Sequence, residues 1–240
     1  MSTEIIGLQS VDSTHKFAIR LIETKKAREC AIVAENQTNG VGRCERPWTS
    51  VRGNLFASII KKLPDQELGK LSLTVACAIH AAILKYIPKD LHLHWPNDVH
   101  YKKSKVSGIL IAIVDDWMVI SVGVNVNAAP YVADATSIAE VCGVKFISTK
   151  EVLKNILVSL EDWFNNLVVL GFSCVKNYWL RYINEMDCKV TIRNGSDSLT
   201  GVFGGIDDSG RLILKKDGRN LLVSSGDMFL NMEGIKVCYE

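Results

Sequence analysis

Gln37-Thr38-Asn39-Gly40-Val41-Gly42-Arg43-Cys44-Glu45-Arg46-Pro47-Trp48 is the stretch on which the reading of this chain turns. Ala31-Ile32-Val33-Ala34 before it reads as a buried strand, and Asn54-Leu55-Phe56-Ala57-Ser58-Ile59-Ile60 after it reads as another. The connection between them carries two glycines, Arg43, Arg46 and, just beyond, Arg52, with Trp48 near its end. Glycines let backbone N–H groups approach an anion closely. Arginine forks match phosphate and carboxylate geometry. A tryptophan can cover an apolar ligand or stack on a base. The combination fits a loop that wraps an anionic ligand with an apolar portion. The same composition also describes an ordinary solvated surface loop, and both readings stand at this point. The stretch is not a Walker A motif, since G-x-x-x-x-G-K-[ST] is missing. Nor is it a dinucleotide fingerprint, because Glu45 stands where the third glycine belongs.

Composition narrows the class. A chain of 240 residues predicts one large domain, or one plus a small one. Its 48% hydrophobic and 22% charged content is that of a soluble globular protein. A net charge of +2, with no Lys/Arg run longer than two, argues against bulk nucleic-acid binding. Cysteines 30, 44, 77, 142, 174, 188 and 238 form an odd set without a C-x-x-C pair. That argues against a disulfide framework or structural zinc and for a reducing cytoplasm. Met1-Ser2-Thr3-Glu4 lacks the basic region of a signal peptide, and no apolar run reaches the ~20 residues of a membrane span.

Taken in order, Ile5–Ser10 is a strand candidate. Asp12-Ser13 caps a helix carrying Phe17, Ala18, Leu21 and Ile22, and on local sequence Ser13 and Thr14 are caps and nothing more. Leu68–Tyr86 is the clearest helix, with Leu71, Val75, Ala78, Ile79 and Ala82 at helical spacing and Pro88 past its end. His80 within it reads as structural. Leu91–Trp95 alternates as a strand; His92 and His94 lie on one face but lack a third metal ligand. Trp95-Pro96-Asn97-Asp98 places an amide and a carboxylate at the strand end. Lys105, beside Gly108 at the mouth of the strand Ile109–Val114, is a candidate functional cation. Asp115-Asp116 turns the chain into a second strand, Trp117–Val126, giving a hairpin that ends with Asn125 and Asn127 on one side.

Residues 128–147 read as irregular. Ser148-x-x-Glu151 is a capping box opening a helix with Val152, Ile156, Leu160, Trp163, Phe164 and Leu167, and Phe172–Tyr182 is a further helix. Beyond about Met186 the texture changes to short β-rich runs separated by Asn194-Gly195, Asp207–Gly210 and Asp217-Gly218. This predicts a domain of residues 1–185 followed by a small β-barrel, 186–240.

Four blocks in order and register make the chain resemble the biotin protein ligases, over nearly its whole length. Gln37–Trp48 is similar to the family's adenylate loop, G-R-G-R-x-G-R-x-W. Trp95-Pro96-Asn97-Asp98 matches K-W-P-N-D, with Lys105 where the family has its essential lysine. Gly123–Asn127 matches G-I-G-I-N-V. Gly205-Ile206-Asp207 and Ser225-Gly226-Asp227 resemble motifs of the family's C-terminal cap. The departures are Val41 in place of an arginine linked to adenylate retention, Glu45 in place of a glycine, His15 in place of asparagine and His94 in place of lysine.

The resemblance implies an α+β fold: a mixed sheet with helices, related to class II aminoacyl-tRNA synthetases, plus an SH3-like β-barrel. It implies formation of biotinoyl-5′-AMP from biotin and ATP with Mg2+, then transfer of biotin to a lysine of a biotin carboxyl-carrier domain of a carboxylase. Ser13, Thr14, His15, Gln37, Gly40, Val41, Gly42, Arg43, Lys105 and Gly108 would contact biotin. Arg43, Arg46, Trp48, Asn97, Lys105 and Asn125 would contact the nucleotide, and Lys105, Arg43 and Asp98 would carry the chemistry. Ligands for the metal are not legible. Because the matching region starts within ten residues of Met1, no operator DNA is expected as a partner, and without a long apolar run no membrane is. The oligomeric state is not legible; the resemblance allows a homodimer paired through a sheet edge, for which the Ile109–Val126 hairpin is the candidate edge. A lipoate ligase and a degenerate biotin sensor are the rival readings. The first lacks its R-R-x-S-G-G-G-x-V motif here, and the second rests on Val41 and Glu45.

Overall fold

The computed structural model describes residues 3–230; Met1, Ser2, Cys238 and the last ten residues of the expected C-terminal domain lie outside the described residues. Seven strands form one mixed sheet. They are β1 (Glu4–Val11), β2 (Cys30–Gln37), β3 (Leu55–Lys62), β4 (Leu91–His94), β5 (Asp98–Tyr101), β6 (Ser104–Val114) and β7 (Trp117–Val124), in the spatial order β1-β2-β3-β7-β6-β5-β4. β1 and β2 are parallel, joined by the crossover helix α1 (Thr14–Glu23); the other neighbours are antiparallel.

Strand alternation divides the core. Cys30 and Ile32 pack on one face with Ala18 and Ile22 of α1 and with Ile60 and Val119. Ala31, Ile59 and Ile120 face the other way, onto α2 (Leu68–Leu84), α4 (Thr149–Leu170) and α5 (Phe172–Arg181). α2 is buried on nearly every side, from Leu71 through Ile83, as an almost wholly apolar helix must be. Each fully buried Leu or Ile contributes about 1.5–3 kcal/mol. His80 is structural, as its position predicts: Nδ1 meets the Tyr178 hydroxyl at 2.9 Å and Nε2 the Leu91 carbonyl at 3.1 Å.

The chain ends in a five-stranded antiparallel sheet: β8 (Lys189–Asn194), β9 (Asp197–Ile206), β10 (Leu212–Lys216), β11 (Arg219–Val223) and β12 (Asp227–Leu230), ordered β11-β10-β9-β8-β12. Gly195, Gly210 and Gly218 all have positive φ at its turns, which is what the turn dipeptides supply. This SH3-like cap shares the main core through Val190, Phe203 and Leu212. Among the described residues no helix is long and apolar enough to cross a membrane.

Three expectations are corrected. The hairpin β6–β7 is not an edge: β3 flanks it on one side and β5 on the other, and the edges are β1 and β4. β7 is buried along most of its length, the mark of a strand covered on both faces. The segment after Pro96 is not only a turn. β5 occupies Asp98–Tyr101, and β6 begins at Ser104, so Lys105 lies inside a strand. The irregular stretch 128–147 contains α3 (Ile138–Cys142), whose capping box is Ser137 with Glu140. At Ser148 the N-cap bond to Glu151 N is present at 3.4 Å.

Candidate active site

A cleft of about 300 Å³ opens over the sheet between α1, the loop after β2, the β6–β7 pair and the first residue of β12. Ser13, Thr14, His15, Gln37, Val41, Gly42, Arg43, Arg46, Trp48, Asn97, Asp98, Lys105, Gly108 and Asn125 all line it. Of the sequence-predicted residues only Gly40 does not. Its carbonyl accepts from Trp48 N at 2.9 Å, and a side chain there would stand 2.6 Å from the Trp48 carbonyl oxygen. Gly40 therefore serves the close approach of two loop backbones.

One end of the cleft is polar and neutral. Thr14 N and Oγ1 donate to Gln37 Oε1 at 2.8 and 3.2 Å, and Ser58 Oγ donates to Thr14 Oγ1 at 2.9 Å. Ser58 and Ser121 hydroxyls are 2.8 Å apart, and Ser121 Oγ is 2.8 Å from His15 Nδ1. Each hydroxyl has one hydrogen. With Thr14 spent on Gln37 and Ser58 on Thr14, Ser121 donates to Ser58 and His15 Nδ1–H donates to Ser121. Burial, with a smaller effect of the Lys16 charge, pushes the His15 imidazole below its ordinary value, so a neutral ring fits this chain of donors. Ser58 and Ser121 face each other across β3 and β7. Neither was singled out from the sequence; the only signal was a lone serine in each of two apolar strands.

The other end is charged. Lys105 Nζ donates to Asp98 Oδ2 at 2.5 Å. Lys105 is held at its backbone by a segment far along the chain: its N–H donates to the Asp134 carbonyl at 2.7 Å, and its carbonyl accepts from Thr136 N at 3.1 Å. Pro130, Val132, Asp134 and Ala135 of that segment also line the cleft and were missed, because they have no local motif. Asn125 Nδ2 adds a bond to the Lys105 carbonyl at 3.3 Å. Asn127, by contrast, ties loops together, through Gly53 O at 2.7 Å and Ile147 O at 2.9 Å. Arg43 donates from Nη1 to Asn97 Oδ1 at 3.2 Å and to Asp227 Oδ1 at 3.3 Å, and from Nη2 to Gly226 O at 3.1 Å. Arg46 also pairs with Asp227. The first residue of β12 thus grips both loop arginines.

Gly108 and Gly123 are partners across β6 and β7 and leave a floor without side chains. The Trp48 indole lies on it. A Cβ on Gly108 would come within 2.8 Å of Trp48 Cζ3, and one on Gly123 would overlap the ring. Lys105 Nζ is 5.5 Å from the indole centroid. Trp48 Nε1 is buried without a hydrogen-bond partner, pressed on the floor where a Gly123 Cβ would stand 2.7 Å from it. The loop's departures are visible too. Cys44 and Glu45 have φ of 50° and 58°, so Glu45 takes the left-handed conformation that a glycine enters without strain.

Comparison with known proteins shows the family. The model of the Biotin/lipoate A/B protein ligase family matches residues 7–127. The Biotin protein ligase C terminal domain matches residues 188–231. The chain belongs to this ligase family and, within it, to the biotin protein ligases. It is 32% identical to a biotin–[acetyl-CoA-carboxylase] ligase of Mycobacterium tuberculosis over 82% of this chain and 77% of that protein. It is 28% identical to the ligase of the same description from Paracoccus denitrificans, over 92% and 98%. The structure of the Aquifex aeolicus biotin protein ligase in complex with biotin and ATP superposes with a TM-score of 0.84 at 28% identity, covering 96% of this chain and 99% of that one.

Proposed function

We propose that the protein activates biotin with ATP as biotinoyl-5′-AMP and transfers it to a lysine of a biotin carboxyl-carrier domain of a carboxylase. The observation that carries this reading is the cleft itself: a neutral, donor–acceptor end beside an end where Lys105, Arg43 and Arg46 converge. A ureido ring needs both donors and acceptors, and Ser13, Thr14, His15, Gln37 and Ser121 provide them. Biotin's carboxylate then lies toward Lys105. Its oxygen attacks the α-phosphorus of ATP; the P–O bond to pyrophosphate breaks as the new one forms. Two anions must meet for this, and Lys105 and Arg43 stabilise the charge that develops around phosphorus. Mg2+ enters with the triphosphate as part of the substrate. Trp48 covers the mixed anhydride and excludes water, which would hydrolyse it. Val41 and Gly42 contribute loop backbone to the biotin side, and Asn97 and Asn125 line the nucleotide side.

In the second step the acceptor amine attacks the activated carbonyl and AMP leaves. Asp98 orients Lys105 in the first step, as the 2.5 Å contact supports, and takes up or directs the amine proton in the second. An Asp98→Asn enzyme is therefore expected to lose transfer more than adenylate formation; equal and normal rates of both would remove Asp98 from the mechanism. We assign residues 1–185 to the catalytic unit and 186–240 to the cap. The experiment that tests the whole reading is pyrophosphate release from Mg-ATP with biotin, with lipoate and with neither. Release that requires biotin supports it, and release with lipoate alone overturns it.

A further inference from the structure

His94 is the last residue of β4 and stands at the junction of the sheet and the cap. Its Nδ1 lies 2.8 Å from Glu185 Oε1, in the segment between α5 and β8. Its Nε2 lies 3.0 Å from the carbonyl oxygen of Met228 on β12. A carboxylate and a backbone carbonyl are both acceptors, and a neutral imidazole has one N–H. To satisfy both contacts the ring carries two N–H groups and a positive charge.

The surroundings fit one cation there and no second. The His100 ring of β5 stacks on His94 with centroids 4.9 Å apart and planes 19° from parallel. Burial, then the His94 charge, pushes His100 down to about 4, so it is neutral. His92, on β4 itself, is also lowered by burial. Burial opposes charge on His94 as well, but the hydrogen bond to and charge of Glu185, the Asp98 charge and the Met228 carbonyl outweigh it and raise its value. The carboxylate of Asp227, next to Met228, is committed to Arg43 and Arg46. Lys105 of β6 acts on this cluster through His100.

We propose that His94, as an imidazolium, is a positioning residue for the adenylation step: it clamps Met228 of the cap so that Gly226 and Asp227 hold Arg43 and Arg46 in the cleft. The segment 226–228 is gripped from both sides, by His94 at Met228 O and by Arg43 at Gly226 O and Asp227. Loss of the His94 proton removes one donor and leaves one acceptor facing a lone pair. The arginines then lose their fixed support, and nucleotide binding weakens. The clamp is complete below the ordinary imidazole value of about 6.5 and is lost as pH rises through the raised value of His94.

The consequence for ATP rests on the ligase reading above, so the test has two independent readouts. The first is biotin-dependent pyrophosphate release against pH, comparing wild type with His94→Lys and His94→Gln. Lysine supplies only donors and stays charged. KM for ATP in the wild type is expected to rise about ten- to hundredfold relative to His94→Lys as pH increases, a charged hydrogen bond being the quantity lost. His94→Gln shows the raised KM at every pH, with kcat little changed. The comparison with His94→Lys cancels titration of the nucleotide and of other residues. The second readout is the imidazole titration of His94 by NMR, with amide hydrogen exchange across β12. A raised titration and faster β12 exchange in His94→Gln support the clamp. A His94 that titrates at or below its ordinary value, or a wild-type KM profile shared by His94→Gln, overturns it. Absence of biotin-dependent release in all three proteins would overturn the ligase reading instead, while the NMR titration and exchange still decide the clamp.

Discussion

At the end of the cleft floored by β3 and β7, five polar side chains satisfy one another in a single line from His15 to Gln37. At the end nearest β12, each cation is instead held by a carboxylate, Lys105 by Asp98 and the two arginines by Asp227. The first end rests on strands and the first turn of α1, is neutral, and needs no rearrangement to meet a neutral ring. The second draws on a loop, a strand end and the cap, and its carboxylates fix where the cations stand. A fixed neutral site gives selectivity through its shape and the remaining lone pairs and donors it offers a polar ring. A charged site whose cations are held in place gives rate, since preorganised cations act most strongly on charge that appears in the transition state.

Lys105→Ala breaks the charged end most directly. We expect biotin-dependent pyrophosphate release to fall by ~10²–10³, with the melting temperature held near wild type. A variant that unfolds would make Lys105 a structural residue and erase the contrast.

Ser58→Ala interrupts the neutral line at its middle. Thr14 and Ser121 then keep buried oxygen atoms without their partner, a cost of about 1–3 kcal/mol. Calorimetric titration is expected to show biotin affinity falling about tenfold or more, with catalysis at saturating biotin nearly intact. Unchanged affinity would mean that the line holds only the fold.

The pH dependence of stability has opposite signs at His15, in the neutral end, and at His94, behind the charged one. His15 has a folded value below its ordinary one, so the unfolded chain binds the proton more readily. Its contribution is present above about 6.5 and is lost as pH falls below that value. His94 is raised, so its contribution is lost as pH rises. Thermal melts are expected to flatten on the acid side in His15→Gln and on the neutral-to-basic side in His94→Gln. A common slope change in both variants would contradict the assignment of one neutral and one charged ring.

Glu45→Gly has the smallest expected effect. It releases a left-handed, non-glycine conformation that costs on the order of 1 kcal/mol, partly offset by the greater freedom of glycine in the unfolded chain. The melting temperature should rise by no more than about 2 °C. A fall would show that Glu45 holds the loop by a contact of its side chain.

Most of this framework is legible in the residues alone. The apolar spacing of Leu68–Leu84 and Thr149–Leu170, the capping serines at 13 and 148 and the turn dipeptides after residue 190 are local signals, and local signals survive without a fold. The four motif blocks carried most of the cleft lining for the same reason: glycines, arginines and the lysine stand in short runs. β5 was obscured because four residues, Asp98–Tyr101, are too few to set a period against a preceding turn. α3, with five residues, suffered likewise.

What only the tertiary structure decided are relations between distant segments. That β6 and β7 are central depends on β3 and β5 arriving from elsewhere in the chain. The pairing of Ser58 with Ser121, the backing of Lys105 by Asp134 and Thr136, the hold of Asp227 on Arg43 and Arg46, and the two acceptors around His94 join residues from about 30 to 184 positions apart in the chain. A hydrogen bond or an ion pair acts over a few ångströms of space, whatever the separation along the chain. The residue types that the chemistry requires are therefore written in the sequence, while their partners, and with them their charge states, exist only once the sheet and the cap have closed on each other.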